Sequence, residues 1–140
     1  MTKFQKNVES ILKAHWKFNY FNEGEEFYLK LEKEGYMDLV IERQGNTVMV
    51  GHYANMNGDL VSDPVLVFVI LPSGEWYPWR IEQILGDTQV ASENENGKLV
   101  YYPHKMADFI SFSAMFASNL IHQGWKKARI KKFKGGEKIG

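Results

Sequence analysis

Cysteine is absent from the 140 residues, which excludes disulfides, thiolate zinc sites, iron–sulfur clusters and a cysteine nucleophile. Net charge is absent too, since 17 basic side chains face 17 acidic ones. No apolar run exceeds the seven residues from Val65 to Leu71, far below the roughly 18 that cross a bilayer, so no membrane association is expected. The opening residues, Met1 to Asn7, lack the apolar core of a signal peptide, and a cytoplasmic protein is the expectation. Nucleophile elbows, phosphate loops, dinucleotide fingerprints and His-Glu-x-x-His are all missing, and with them any motif for a catalytic residue or a cofactor. Internal repeats and low-complexity stretches are missing as well. What is there is a 44% apolar chain, close to the globular norm and long enough for one domain with one core.

The balanced charge conceals a polar distribution along the chain. Residues 126–140 carry seven basic side chains, Lys126, Lys127, Arg129, Lys131, Lys132, Lys134 and Lys138, against the single acid Glu137. The remaining 125 residues hold 10 basic and 16 acidic side chains. This divides the chain into an acidic domain, 1–125, and a basic, flexible tail, 126–140. Such a cluster can neutralise phosphates and give salt-sensitive nucleic-acid affinity. It can equally be a solvated end, or an arm lying on its own acidic body.

Periodicity supplies the elements. Phe4, Val8, Ile11, Leu12 and His15 make one apolar stripe at helical spacing, and Thr2 with Gln5 fits a reciprocal capping box. Met106, Phe109, Ile110, Phe116, Ala117, Leu120 and Ile121 mark a second amphipathic helix, which Gly124 is placed to end. Between them the period falls to two. Phe27, Leu29 and Leu31 predict one strand and Met37, Leu39 and Ile41 a second; Gln44-Gly45-Asn46 turns the chain into a third, Thr47 to Ala54. Asn55 to Asp59 reads as too polar for a strand interior. Val65 to Leu71 reads as a strand covered on both faces, and Trp76 to Leu85 as an edge or bulged strand, since Pro78 has no N–H to donate. A further strand is expected at Thr88 to Glu93. Short connections favour antiparallel neighbours. The fold class is therefore α+β, a five- or six-stranded antiparallel meander with N- and C-terminal helices packed on one face.

Chemistry-bearing residues are few. His52, Asp59 and Asp63 lie within twelve positions and carry the ligand types of a divalent metal or acid–base site, although Asn57-Gly58-Asp59 and Asp63-Pro64 are also ordinary turn and strand-start chemistry. The twenty aromatic residues are concentrated at Trp76-Tyr77-Pro78-Trp79-Arg80. Strict alternation would put Trp76, Pro78 and Arg80 on one face of that strand, and Tyr77 and Trp79 on the other. Exposed Trp, Tyr and Arg are the residue types of protein–protein hot spots, and the same rings can stack on nucleobases.

Several segments taken in order, Tyr36 to Glu42, His52-Tyr53, Asn57-Gly58-Asp59-Leu60, Asp63-Pro64, Phe68 and Trp76-Tyr77-Pro78, resemble an uncharacterised bacterial domain family of phage, integrative-element and conjugative-plasmid proteins. The similarity runs from about Phe27 to Trp125, and its most specific parts are Asn-Gly-Asp-Leu-x-x-Asp-Pro and Trp-Tyr-Pro. It implies a mobile-element accessory protein and brings no activity with it. The expectation is a non-enzymatic protein that binds a host or element-encoded protein through Trp76, Tyr77, Trp79 and Arg80, in one version inhibiting a defence system. The alternatives are nucleic-acid binding through Lys126, Lys127, Arg129, Lys131 and Lys132 with those aromatics, and a metal-dependent site at His52, Asp59 and Asp63.

Overall fold

A computed structural model describes residues 1–135. Helices α1 (Lys3–Ala14) and α2 (Phe18–Glu23) precede an antiparallel meander of β1 (Glu26–Glu32), β2 (Leu39–Gln44), β3 (Thr47–Met56), β4 (Asp59–Ile70) and β5 (Trp76–Glu82). The short β6 (Thr88–Gln89) flanks β5, and a separate ribbon of β7 (Ala91–Glu93) and β8 (Leu99–Tyr101) leads into α3 (Pro103–His122). A 3-10 turn at Trp125–Lys127 then delivers β9 (Arg129–Gly135) to the far edge, giving the order β6-β5-β4-β3-β2-β1-β9. The α+β antiparallel class is as expected, with seven strands in the main sheet instead of five or six.

Turn chemistry explains where the strands begin and end. Asn57 and Gly58 both take positive φ, +55° and +90°, the pair that a two-residue type I′ hairpin requires. That tight turn lets pairing run to the tip, Met56 against Asp59 and Asn55 against Leu60, so the segment expected to be too polar for a strand is the end of a long hairpin.

One face of the sheet carries the core. Phe27, Leu29, Leu31, Leu39, Ile41, Val48, Val50, Leu66, Phe68 and Trp76 pack beneath Phe4, Val8, Ile11 and Leu12 of α1 and Phe109, Phe116, Ala117 and Leu120 of α3. Thr2 caps α1 by accepting from the Gln5 backbone N–H at 3.2 Å. Gln5 does not complete the reciprocal box. Its buried side chain accepts from the Trp76 backbone N–H at 2.9 Å and donates to the Gly74 carbonyl at 3.0 Å, tying α1 to the turn before β5. After α3, Gly124 at φ +84° reverses the chain, and Trp125 folds back into full burial. Its indole N–H donates to Gln123 Oε1 at 2.9 Å.

The expected flexible tail is corrected by β9, which pairs antiparallel with β1 from Phe27↔Gly135 to Glu32↔Arg129. Two of the basic residues find acids on their own domain, Arg129 Nε lying 2.7 Å from Glu32 Oε1 and Lys131 Nζ 2.9 Å from Asp38 Oδ2. The end of the basic cluster, with Lys138, lies outside the described residues.

Candidate functional site: the open face of the sheet

Register defines the face turned away from the helices. One row reads Tyr28, Glu42, Met49, Val67 and Arg80 across β1 to β5; the next reads Lys132, Lys30, Val40, Gly51, Val65 and Glu82 from β9 to β5. Gly51 is demanded by crowding. A Cβ there would fall 2.1 Å from the Pro64 carbonyl oxygen and 2.7 Å from Val65 Cα. The crowding arises because β4 carries one extra residue opposite His52, between the Gly51↔Val65 and Tyr53↔Ser62 pairs.

Beside this row, Tyr28, Lys30, Tyr36, Met37, Asp38, Val40, Tyr53, Asn55, Leu60 and Lys131 enclose a depression of about 390 Å³. At its wall, Asp38 Oδ2 accepts from Lys131 Nζ at 2.9 Å, with Lys30 Nζ at 3.8 Å. That hydrogen bond raises the Lys131 pKa. Burial pushes the Tyr53 phenol up to about 12, with Glu42 and Glu82 adding to the shift. Tyr28 is raised by burial and then by Glu42 and Asp38. Both phenols therefore stay neutral and amphipathic, suited to apolar contact with a polar tip. The rim is apolar and wet: Leu60 is 68% exposed, and Tyr36 and Met37 are 44–45% exposed. Away from the depression, Glu82 accepts from Ser62 Oγ at 3.1 Å and Arg80 Nε at 2.9 Å.

His52, Asp59 and Asp63 are dispersed by the same register. His52 pairs with Leu39, so it faces the helices, its ring 5.7 Å from Phe116 and 5.9 Å from Trp125. Its Nδ1 lies 3.0 Å from the Asp38 carbonyl oxygen, which can only accept, so that nitrogen carries the proton. Asp59 sits beside the hairpin turn and Asp63 in the β4 bulge. Among the described residues no group of three or more His, Cys, Asp or Glu is placed to hold a metal ion.

The Trp76–Arg80 strand also departs from strict alternation. Phe68 pairs with Pro78 and Val67 with Arg80, so Trp79 is the extra residue of a bulge, and Arg80 shares the open face with Tyr77 instead of the Trp76 face. Trp76, 3% exposed, lies among Phe4, Phe21 and Phe68 and is unavailable to a partner. Tyr77 and Trp79 are half-buried, and Arg80 is paired with Glu82. Lys126 and Lys127 are exposed in the 3-10 turn, and Lys132 lies over the Tyr28 ring at 5.7 Å.

Sequence reading named Lys131 only as part of a basic cluster and Tyr36 to Val40, Tyr53 and Leu60 only as parts of a resemblance, and no sequence rule brought them together. Met37 reads as the first inward residue of a strand, yet β2 begins at Leu39 and leaves it outside. An apolar Leu60 two positions beyond Gly58 of the Asn-Gly turn is the one available signal. Trp16, 87% exposed at φ +60°, is the accessible indole.

Fold and face together define an α+β architecture with one sheet face covered by helices and the other free of them, although Val40, Val65 and Val67 at the centre of that second face are buried. The family model for a domain of unknown function, DUF6908, matches residues 6–126, and the chain belongs to that family. The matched span runs from α1 through α3 and stops before β9. No curated protein and no solved structure matches the chain.

Proposed function

We propose that this domain is a non-enzymatic binding protein that takes a protein partner onto the depression between the β3–β4 hairpin and the segment before β2. The observation that carries the reading is the contiguity of exposed Tyr36, Met37 and Leu60 around half-buried Tyr28 and Tyr53. Isolated surface apolar residues need no explanation, whereas a cluster of them over neutral tyrosines has the composition of an interface centre. The Asn-Gly-Asp-Leu segment that carries the resemblance to mobile-element proteins supplies Leu60 to this rim, which supports an accessory role in a phage or mobile element, acting in the bacterial cytoplasm. Inhibition of a host defence protein is one form of that role. The nucleic-acid reading is weaker, because Arg129 and Lys131 are held in ion pairs with Glu32 and Asp38.

The test is affinity capture from the native host with the parent protein and with Met37→Asp/Leu60→Asp. Both positions are exposed, so the variant should melt with the parent. Loss of a captured protein supports the reading. Equal capture by both proteins, or capture abolished by nuclease treatment, overturns it.

A further inference from the structure

The sheet ends on β9, and among the described residues nothing pairs with its outer edge; the opposite edge is the two-residue β6. A seven-residue edge strand is a template for another chain unless something blunts it, and lysine is a common means of doing so. Here the blunting is one-sided. Arg129 and Lys131 are neutralised by Glu32 and Asp38, while Lys132 and Lys134 are exposed and in no ion pair among the described residues. Both lie on the open face, across from Lys30 and Tyr28. The helix-side positions of the strand are apolar. Ile130 is partly exposed, and Phe133 packs on Tyr20 and Phe27 with ring centroids at 5.4 and 5.6 Å.

From this we infer that β9 receives an extended, acidic segment of a protein partner by strand addition. An added strand would place alternate side chains on the two faces, acids against Lys132 and Lys134 and an apolar residue against Phe133; Lys131 is the extra residue of a bulge, which shifts the alternation so that Ile130 also lies on the Phe133 face. A second copy of β9 would set lysine against lysine, which opposes self-pairing and leaves the edge open to a strand of opposite charge. This edge adjoins the depression under Leu60, which Tyr28 and Lys131 line, but it presents Lys132, Lys134 and Phe133, which do not line it, and neither proposal requires the other.

The experiment uses fluorescence anisotropy with the whole protein and a labelled peptide of about eight alternating Glu and Val residues, enough to span the strand. A Lys-Val peptide and single-stranded oligothymidylate serve as comparisons. The Glu-Val peptide should bind and slow amide hydrogen exchange along β9. Lys132→Glu/Lys134→Glu should weaken it by about tenfold or more and bring in the Lys-Val peptide instead. If that variant fails to fold, Lys132→Gln/Lys134→Gln should still weaken the Glu-Val peptide. The inference is overturned by absence of binding, by binding that ignores these charges, by binding without slowed β9 exchange, or by oligothymidylate displacing the peptide.

Discussion

Gly51→Ala puts a single methyl group where the fold has least room. The added Cβ would lie 2.1 Å from the Pro64 carbonyl oxygen and 2.7 Å from Val65 Cα, and both obstacles are backbone. No side chain can rotate away, so β4 must shift at its bulge. Overpacking of this kind costs about 1–3 kcal/mol or more, against which alanine recovers roughly 0.5–1 kcal/mol of backbone entropy. The net loss, of order 1–2 kcal/mol, should lower Tm by about 3–8 °C in a domain of this size. Circular dichroism melts measure it, with Gly58→Ala as the comparison, since that position has open space and pays only for φ +90°. The shift would also move the hairpin that carries Leu60, so partner capture should fall at temperatures where the variant is still folded. A Gly51→Ala protein that melts within about 1 °C of the parent would refute the crowding argument.

Two further outcomes follow from burial. The Tyr53 phenol holds its proton better in the folded chain, about 12 against 10.0, because burial and Glu42 and Glu82 disfavour its anion. The stability it lends is whole below pH 10.0 and is lost as pH rises through about 12, so melts of Tyr53→Phe should lack part of the alkaline decline seen in the parent; identical declines would remove Tyr53 as the cause. Trp76→Ala should cost about 3–5 kcal/mol in urea unfolding, whereas Trp16→Ala should cost less than about 0.5 kcal/mol and remove the indole most open to acrylamide quenching; comparable losses would contradict the burial assigned to the two rings.

Local rules reached the parts of the fold that are locally determined. The stripes of α1 and α3, the Gly124 reversal and the hairpin turns follow from spacing and from residues able to take positive φ. Arg80 went to the wrong face because one bulge at Trp79 reverses the parity of everything beyond it, and no periodicity reports a bulge. Trp76 reads as a surface residue until α1, seventy positions earlier, is laid over it. The basic segment lacks alternation strong enough to announce a strand, since only Ile130 and Phe133 face the helices. The depression was illegible for a related reason: its members span Tyr28 to Lys131 and meet only through the register of five strands. His52 was a fair candidate for chemistry until its pairing with Leu39 turned it inward.

The partnership of β1 with β9 joins residues about a hundred positions apart. During synthesis the meander can assemble in order of emergence, hairpin after hairpin, but the outer flank of Phe27, Leu29 and Leu31 stays unpaired until β9 leaves the ribosome. A chain cut short after α3 would retain every element the family span covers and yet expose a long, sticky margin. Strand β9 thus acts as a clasp on β1, and termination before it should yield aggregates before it yields a smaller working protein.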